Sequence, residues 1–355
     1  MSGGILQRGA ELPEGVRYLP VDEGTHLWGR LPCAVDAPAM TVDSGESVVV
    51  DTVSHEGLLD DQGSDPVAFF GGHGVSRQDV LADAVEVASS GRRDPSSDGP
   101  HVVTGPVHVR GAQPGDVLAI RVAQLRRRVP YGVISNRHGR GALAGEYPQG
   151  PENVSVFAGV DDAGRGVVPL RRGSAATARF PLAPFLGIMG VAVAGGERPH
   201  SVPPGVHGGN IDVNLLTAGS TLYLPVQVEG ALAYVGDPHF AQGDGEVSLT
   251  AMEASLRARL RFEVIPRARA LAAFGELAGP LAETADYLVP TGMHEDLDEA
   301  VRRCVRAAIS LLTTRYGMEP HLAYAYLSAA TDVNISQVVD IVKGAHARIR
   351  ISDFE

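Results

Sequence analysis

The chain has 355 residues, of which 44% are hydrophobic and 20% are charged, a composition typical of a globular protein with a sizeable core. Its formal net charge of −12 at pH 7 disfavours binding to phosphate backbones, so we expect no nucleic-acid partner. No segment approaches the roughly 18 apolar residues that span a bilayer, and the N-terminal residues lack the pattern of a secretory signal. We therefore expect a cytoplasmic protein with no membrane partner.

Strand patterns dominate the chain up to about residue 265. SGESVVVDTV (44–53) reads as a strand that follows a turn. GPVHVRGAQPGDVLAIRV (105–122) has two alternating segments around a Pro/Gly turn, which is typical of a hairpin. GSTLYLPVQVEGALAYVGD (219–237) predicts two more strands, and GEVSLTAMEASLRARLRFEVI (245–265) is β-rich or begins as a short helix. We interpret Glu253 as a solvated position of this last segment.

Helical spacing appears in the last quarter of the chain. DLDEAVRRCVRAAISLLTTRYG (296–317) begins with acidic residues, ends at a glycine and places Cys304 on an apolar face. EPHLAYAYLS (319–328) predicts a second helix, and HARIRI (346–351) a closing strand. The sequence thus predicts a mainly β fold: a β-sandwich-like core with additional α/β elements and an α-rich C-terminal part. We divide it into a core, 1–265, and an α/β part, 266–355, with one continuous domain as the alternative.

Polar residues that could perform chemistry concentrate in two glycine-rich stretches, HGGNIDV (207–213) and GDPHFAQGDGE (236–246). Asn210 and Asp212 are two residues apart, as are Asp237 and His239, so in extended backbone each pair shares a face. A metal that activates water needs a few His or carboxylate ligands and an open coordination position. The spacing is compatible with such a site and equally with a solvated loop.

Two further histidine-containing segments precede these stretches. Residues 51–75 carry His55 and His73 among several acidic residues, and His101 directly precedes the predicted hairpin. The pattern does not assign a role to His55 or His73. Lys343 is the only lysine, which argues against amidase mechanisms of the Ser–Ser–Lys and Cys–Glu–Lys types, because both need a lysine in the active site.

From about residue 35 onward the chain resembles the acetamidase/formamidase family. The resemblance rests on four motifs in order: GGN-x-D, GSTLYLPV, GD-x-H-x-x-QGDGE and D-x-x-ISQVVD. It implies a hydrolase that cleaves a small linear amide, such as formamide or acetamide, to a carboxylate and ammonia. It also implies a homo-oligomer, a dimer or higher, and a divalent metal. Imidazole ligands favour zinc, whereas the many oxygen donors leave calcium, manganese or magnesium as alternatives.

Carrying the family motifs onto this sequence suggests individual roles. The resemblance implies that the metal ligands are His101, Asp237, His239 and Asp212. It implies that Glu246 is the general base, assisted by Gln242 and Asn210. Two alternatives stay open: a non-catalytic metal-containing binding protein, and a hydrolase of a larger or cyclic amide. The second alternative arises because the stretch SHEGLLDDQGSDPVAFFGGHGV (54–75) does not resemble the corresponding part of enzymes that act on the shortest amides.

Overall fold

The computed structural model of the chain describes residues 4–354. These residues form twenty strands and five α-helices. The strands are β1 (Arg17–Leu19), β2 (His26–Trp28), β3 (Met40–Val42), β4 (Ser47–Asp51), β5 (Val102–Val109), β6 (Val117–Arg127), β7 (Tyr131–Asn136), β8 (Val154–Val160), β9 (Gly166–Pro169), β10 (Thr177–Phe180), β11 (Phe185–Gly190), β12 (Gly208–Asn210), β13 (Thr221–Pro225), β14 (Ala233–Ala241), β15 (Met252–Glu253), β16 (Leu256–Ile265), β17 (Leu281–Glu283), β18 (Tyr287–His294), β19 (Asp332–Gln337) and β20 (Lys343–Arg350). The helices are α1 (Pro66–Gly71), α2 (Ala82–Ser89), α3 (Arg267–Phe274), α4 (Leu297–Tyr316) and α5 (Pro320–Ala330).

The strands form two large sheets. One has nine strands in the order β1-β4-β16-β6-β13-β17-β18-β20-β19. The other has eleven: eight in the order β10-β9-β8-β7-β15-β14-β11-β12, with β5 beside β14 and with β2 and β3 beside β5. Apolar side chains of both sheets share one buried core, which includes Val48, Leu118, Leu186 and Val235. The mainly β prediction is confirmed, and the sandwich arrangement stays a prediction.

The longest pairing joins β6 and β16 and shows why these segments are strands. β16 alternates between buried Leu260 and Phe262 and exposed Arg259, Arg261 and Glu263, the period of two that puts successive side chains on opposite faces of a sheet. Within 245–265 the structure has only turns and strands. The alternative of a short helix at the start of this segment is therefore wrong.

Helix α4 confirms the helix predicted for 296–317. The Asp296 side chain accepts a hydrogen bond from the Glu299 N–H (2.9 Å), and Gly317 ends the helix with a φ of 66°, as expected for an N-cap and a left-handed C-cap. Cys304 is fully buried in the apolar interior. α4 packs on β18 and β20, which extend the same nine-stranded sheet as β16, so this sheet crosses the predicted boundary at residue 265.

Two helices interrupt the region for which the sequence pattern indicates strands. α1 begins at Pro66, directly after Asp65, whose side chain accepts hydrogen bonds from Val67 N and Ala68 N. A proline in the first turn and a capping aspartate are ordinary helix-start signals, but a helix of only 6 residues leaves little periodicity in the sequence.

In the part of the chain that the structure describes, no helix has the length and apolar character needed to cross a membrane.

Candidate active site

Strands of the eleven-stranded sheet and several loops bring nine polar side chains to one place. All of them are buried. β14 carries Asp237 and His239, β12 ends on Asn210, and β15 carries Glu253. The remaining five lie in loops or just outside strand ends: His55, His101, Asp212, Glu246 and Asp340.

The backbone at this place is unusual. Asp212, Asp237 and Glu246 have φ values of 49°, 49° and 47°, a left-handed conformation that few non-glycine residues adopt. Such conformations cost roughly 1–3 kcal/mol each and concentrate at functional sites, where the surrounding fold enforces them. Three acidic residues share this conformation here, which marks the cluster as a site and not as a solvated loop.

Gly187 on β11 lies directly under the cluster. A Cβ atom at this position would lie 2.5 Å from Asp212 Oδ1, 2.7 Å from Asp237 Oδ2 and 2.7 Å from His239 Cε1. These separations are shorter than van der Waals contact, so any larger residue would displace the side chains. The glycine therefore allows the three side chains to converge.

His55, His101 and Asp237 form one potential ligand set, which we call the histidine group. His55 Nδ1 lies 3.5 Å from Asp237 Oδ1, and His101 Nε2 lies 3.9 Å from the same oxygen. The three candidate ligand atoms lie within 4.8 Å of one another, and Asp237 Oδ1 has no hydrogen-bond partner among the described residues. Two imidazole nitrogens and one carboxylate oxygen form a typical donor set for zinc.

Neighbouring side chains orient the two rings of the histidine group. His55 Nε2 lies 3.4 Å from Glu56 Oε1, and Glu56 in turn accepts a hydrogen bond from Ser135 Oγ (2.5 Å). His101 Nδ1 is hydrogen-bonded to Ser201 Oγ (3.0 Å). Each ring thus uses its outer nitrogen for the protein and turns its inner nitrogen towards Asp237, as histidines that ligate metals do.

The electrostatics of the histidine group follow from burial and from the surrounding carboxylates. Burial lowers the pKa of His101 to about 3, so its ring is neutral, the form that ligates a metal. Burial also opposes the charge on His55, but its close contacts with the Asp237 and Glu56 carboxylates outweigh burial and raise the pKa of His55 to about 10. Burial opposes ionisation of Asp237, yet the charge on His239 and the contact with that ring hold the pKa of Asp237 well below the usual range.

His239 contacts the other oxygen of Asp237. Its Nε2 lies 3.0 Å from Asp237 Oδ2 and 3.0 Å from Glu253 Oε1. Glu253 is only 2% exposed, so the interpretation of Glu253 as a solvated residue is wrong. The cause is strand pairing: β15 places Glu253 directly opposite His239 on β14, and directly opposite residues of paired strands share a face.

Gln242 positions His239. Its Oε1 is hydrogen-bonded to His239 Nδ1 (3.1 Å), while its Nε2 donates to the backbone oxygens of Asp212 (3.0 Å) and Ser336 (3.2 Å). The side-chain amide is thus bonded at both ends within the protein. Gln242 thus contacts His239 and does not line the cavity, whereas the family resemblance implies a catalytic role for it.

Asp212, Glu246 and Asp340 form a second set, which we call the acidic group. Both carboxylate oxygens of Asp212 and Asp340 Oδ2 lack hydrogen-bond partners within residues 4–354. Burial raises the pKa of Asp212 to about 8, with Asp237 adding to the rise and His239 opposing it. Burial and the charges of neighbouring carboxylates also hold the pKa values of Glu246 and Asp340 well above their usual ranges.

Both groups open into one cavity of about 820 Å³, whose lining includes His55, His101, Asn210, Glu246 and Asp340. Asn210 Oδ1 is buried and has no partner among the described residues. Unpaired buried polar atoms are costly unless a ligand satisfies them. Together with the unpartnered carboxylate oxygens, they show that these residues fit a divalent cation and a polar substrate.

The structure distributes the four predicted metal ligands between groups. His101 and Asp237 meet in the histidine group, His239 contacts Asp237 from the opposite side, and Asp212 lies with Glu246 in the acidic group. Sequence reasoning missed the participation of His55, Glu253 and Asp340. His73 packs against Phe157 with a ring separation of 4.9 Å. Asp340 is the last residue of the ISQVVD motif, and its place in that motif could have identified it as a site residue.

Comparison with known proteins identifies the family of the chain. The family model described as "Acetamidase/Formamidase family" matches residues 86–197 and 192–352. A formamidase of Methylophilus methylotrophus is 27% identical over 192 residues, which cover 42% of this chain and 47% of the relative. An acetamidase of Mycolicibacterium smegmatis is 28% identical over 200 residues, which cover 42% and 49%.

The curated relatives match over about half of their length, whereas a solved structure matches over nearly all of its chain. The acetamidase of Bacillus halodurans superposes with a TM-score of 0.72 at 25% identity, covering 95% of this chain and 98% of the other. The likeness therefore extends across the described elements and is not confined to the motifs around the cavity. Since the family model matches well over half of its residues, this chain belongs to the acetamidase/formamidase family.

Proposed function

We propose that this protein is a metal-dependent amidohydrolase that cleaves the C–N bond of a small amide and releases a carboxylate and ammonia. The observation that carries the proposal is the convergence of His55 Nδ1, His101 Nε2 and Asp237 Oδ1 within 4.8 Å at the wall of a cavity. Family membership supplies the reaction type. Homo-oligomeric assembly and a cytoplasmic location are further proposals, which rest on the sequence.

The histidine group would hold the cation, with zinc as the first expectation because two of its three donors are imidazole nitrogens. When bound, a divalent cation supplies a Lewis acid that polarises the amide carbonyl and lowers the pKa of water. His239 keeps the Asp237 carboxylate oriented through its contact with Oδ2. Glu56 and Ser201 fix the rings of His55 and His101.

The remaining residues handle the substrate and the proton. Asn210, with a buried and unpartnered Oδ1, accepts a hydrogen bond from the amide nitrogen of the substrate. Glu246 lines the cavity and carries the proton: one of its carboxylate oxygens takes it from the attacking water and returns it to the leaving nitrogen. Burial and the neighbouring carboxylates raise the pKa of Glu246, and a carboxyl with a raised pKa can both accept and return a proton.

The Glu246→Gln variant tests the assignment of the base. We expect ammonia release from amides to fall by about 10²–10⁴-fold, the usual contribution of general acid–base catalysis, with metal content unchanged. Ammonia would be measured with formamide, acetamide and longer amides, and metal by elemental analysis of protein purified without chelator. Glu146→Gln, at an exposed position, is the matched control.

Three results would contradict parts of this proposal. A fully active Glu246→Gln enzyme would refute the role of the base. Activity that survives complete removal of metal by a chelator would refute metal dependence. If the metal-loaded wild-type protein released ammonia from no amide, a binding protein that holds a structural ion would be the better description.

A further inference from the structure

The cavity is far larger than the shortest amides require. Its volume of about 820 Å³ falls in the range of roughly 300–1,000 Å³ that is typical of sites for drug-sized ligands. Formamide and acetamide, which are among the smallest amides, would fill a minor part of it. The cavity therefore has room for a substrate that extends beyond the histidine and acidic groups.

The acidic residues on the outer wall of the cavity are already neutralised by arginines. Arg93 contacts Asp60 at 2.9 Å, and Arg137 contacts Asp61 at 2.5 Å. Asp98, also on the wall, contacts Arg30 at 2.7 Å. These pairs contribute no net charge to the entrance.

Two cations of the cavity lining have no acidic partner among the described residues. Arg140 is exposed and makes no ion pair within residues 4–354, although it lines the cavity. Lys343, the only lysine of the chain, donates its Nζ proton to the backbone oxygen of Glu295 and to no carboxylate among the described residues. In a chain with a net charge of −12, an entrance with unpaired positive charge attracts anions.

An apolar surface on the cavity wall accompanies these cations. It comprises side chains of the loop between β19 and β20, with Leu249 from the loop before β15. Ile341 in that loop is 60% exposed and has a φ of 67°, which is a genuine outlier for a β-branched residue. Strain of this kind persists where the surrounding fold enforces it, and it concentrates at functional sites.

We infer that the substrate is an amide whose acyl chain runs along this apolar wall and ends in a carboxylate that binds Arg140. This inference rests on the proposed function and specifies its substrate class. The amide group lies at the histidine group, the methylene chain contacts Leu249 and Ile341, and the carboxylate pairs with the guanidinium. Lys343, which also lines the cavity, adds positive charge to it.

The test compares adipic acid monoamide with two neutral amides, hexanamide and acetamide, as substrates of the metal-loaded full-length protein. For the wild type we expect kcat/KM to be highest with the monoamide. Arg140→Ala should lower kcat/KM for the monoamide about tenfold, the equivalent of one solvent-exposed charged hydrogen bond. The loss should appear in KM with kcat unchanged, and hexanamide should be unaffected.

Two further variants and the dependence on salt concentration serve as controls for this comparison. Arg140→Lys should retain most of the preference for the monoamide, and Arg172→Ala, at an exposed position away from the cavity lining, should change nothing. Added salt should reduce kcat/KM for the monoamide more than for hexanamide, because exposed ion pairs are screened.

The two proposals fail in different ways. The inference about the carboxylate is overturned if the wild type has the same kcat/KM for hexanamide or acetamide as for the monoamide. It is also overturned if Arg140→Ala leaves kcat/KM for the monoamide unchanged. In both cases the amidase function stands. A metal-loaded wild type that cleaves none of the three amides overturns the proposed function and this inference with it.

Discussion

The histidine group and the acidic group face each other across His239 and differ in how they are held. In the histidine group, His55 and His101 each have an outer partner, Glu56 and Ser201 respectively. In the acidic group, the Asp212 oxygens have no hydrogen-bond partner among the described residues. The position of Glu246 depends on its backbone and on the neighbouring Asp244.

This difference indicates two ways in which a fold can hold the side chains of a site in position. Orienting the rings through their outer nitrogens fixes the ligand atoms before any cation arrives, as in other metal sites. The acidic side instead depends on a backbone held by β19, since Gly245 N donates to Ser336 O (3.1 Å) and Val338 N donates to Gly245 O (3.1 Å). We therefore expect substitutions behind the two groups to have different consequences.

Gly187→Ala should have the largest effect, because it disturbs both groups. The added methyl group would lie within 2.7 Å of Asp212, Asp237 and His239 atoms and would displace them. We expect at least about a 100-fold loss of kcat/KM, as misplacement of catalytic groups by about 1 Å produces, together with reduced metal content. Steady-state kinetics and elemental analysis would measure both.

Gly159→Ala on β8 is the matched control, because a Cβ there would meet no atom within 4 Å. It should keep both metal and activity. A Gly187→Ala enzyme with normal kinetics and normal metal content would show that the three side chains do not act as one site.

Ser201→Ala should weaken only the histidine group. Without the hydroxyl, His101 Nδ1 loses its 3.0 Å partner and the ring is free to rotate. Loss of such an outer contact typically costs about 10–100-fold in metal affinity. Competition with a chromophoric chelator would measure the Kd of the metal, and the metal-saturated variant should recover most of its activity.

Ser174→Ala, at a half-buried loop position outside the cavity lining, should leave the metal affinity unchanged. Unaltered affinity in Ser201→Ala would mean that the hydroxyl does not orient the ring. Activity that stays low at saturating metal would place Ser201 in the handling of the substrate.

Local patterns in the sequence predicted much of the fold and part of the site. Period-two alternation predicted the strands that became β5 and β6, and capping signals predicted α4. The predicted hairpin is wrong, because β5 and β6 belong to different sheets and do not pair with each other. The i, i+2 spacing of Asp237 and His239 predicted that they share a face. Their side chains do meet at 3.0 Å, although Asp237 is left-handed and not extended. These features depend on residues that are close together in the chain.

The missed residues depend on long-range pairing, for which one sequence carries no local signal. Glu253 joins the site because β15 pairs with β14 after a register shift between His239 and Ala241. His55 and Asp340 come from loops at opposite ends of the chain. Burial of a charged side chain at such a point follows from the partners that the fold supplies, so composition favours the solvated interpretation.

Asp244→Ala should have the smallest effect and should act on the acidic group alone. Asp244 Oδ1 accepts a hydrogen bond from Asn214 Nδ2 (2.9 Å), and Oδ2 accepts hydrogen bonds from Asn334 Nδ2 (2.6 Å) and Arg348 (3.0 Å). These contacts hold the turn before Glu246 against β19 and β20. We expect kcat to fall about tenfold, consistent with a modest displacement of the base, with unchanged KM and metal affinity.

The metal affinity separates this positioning role from a general loss of structure. Asp244→Asn, which retains an accepting oxygen, should recover part of kcat, and Asp162→Ala at an exposed loop position should have no effect. If Asp244→Ala instead lost metal as Ser201→Ala is expected to do, the two groups would be mechanically continuous. The contrast between a side held by ring partners and a side held by the C-terminal strands would then be wrong.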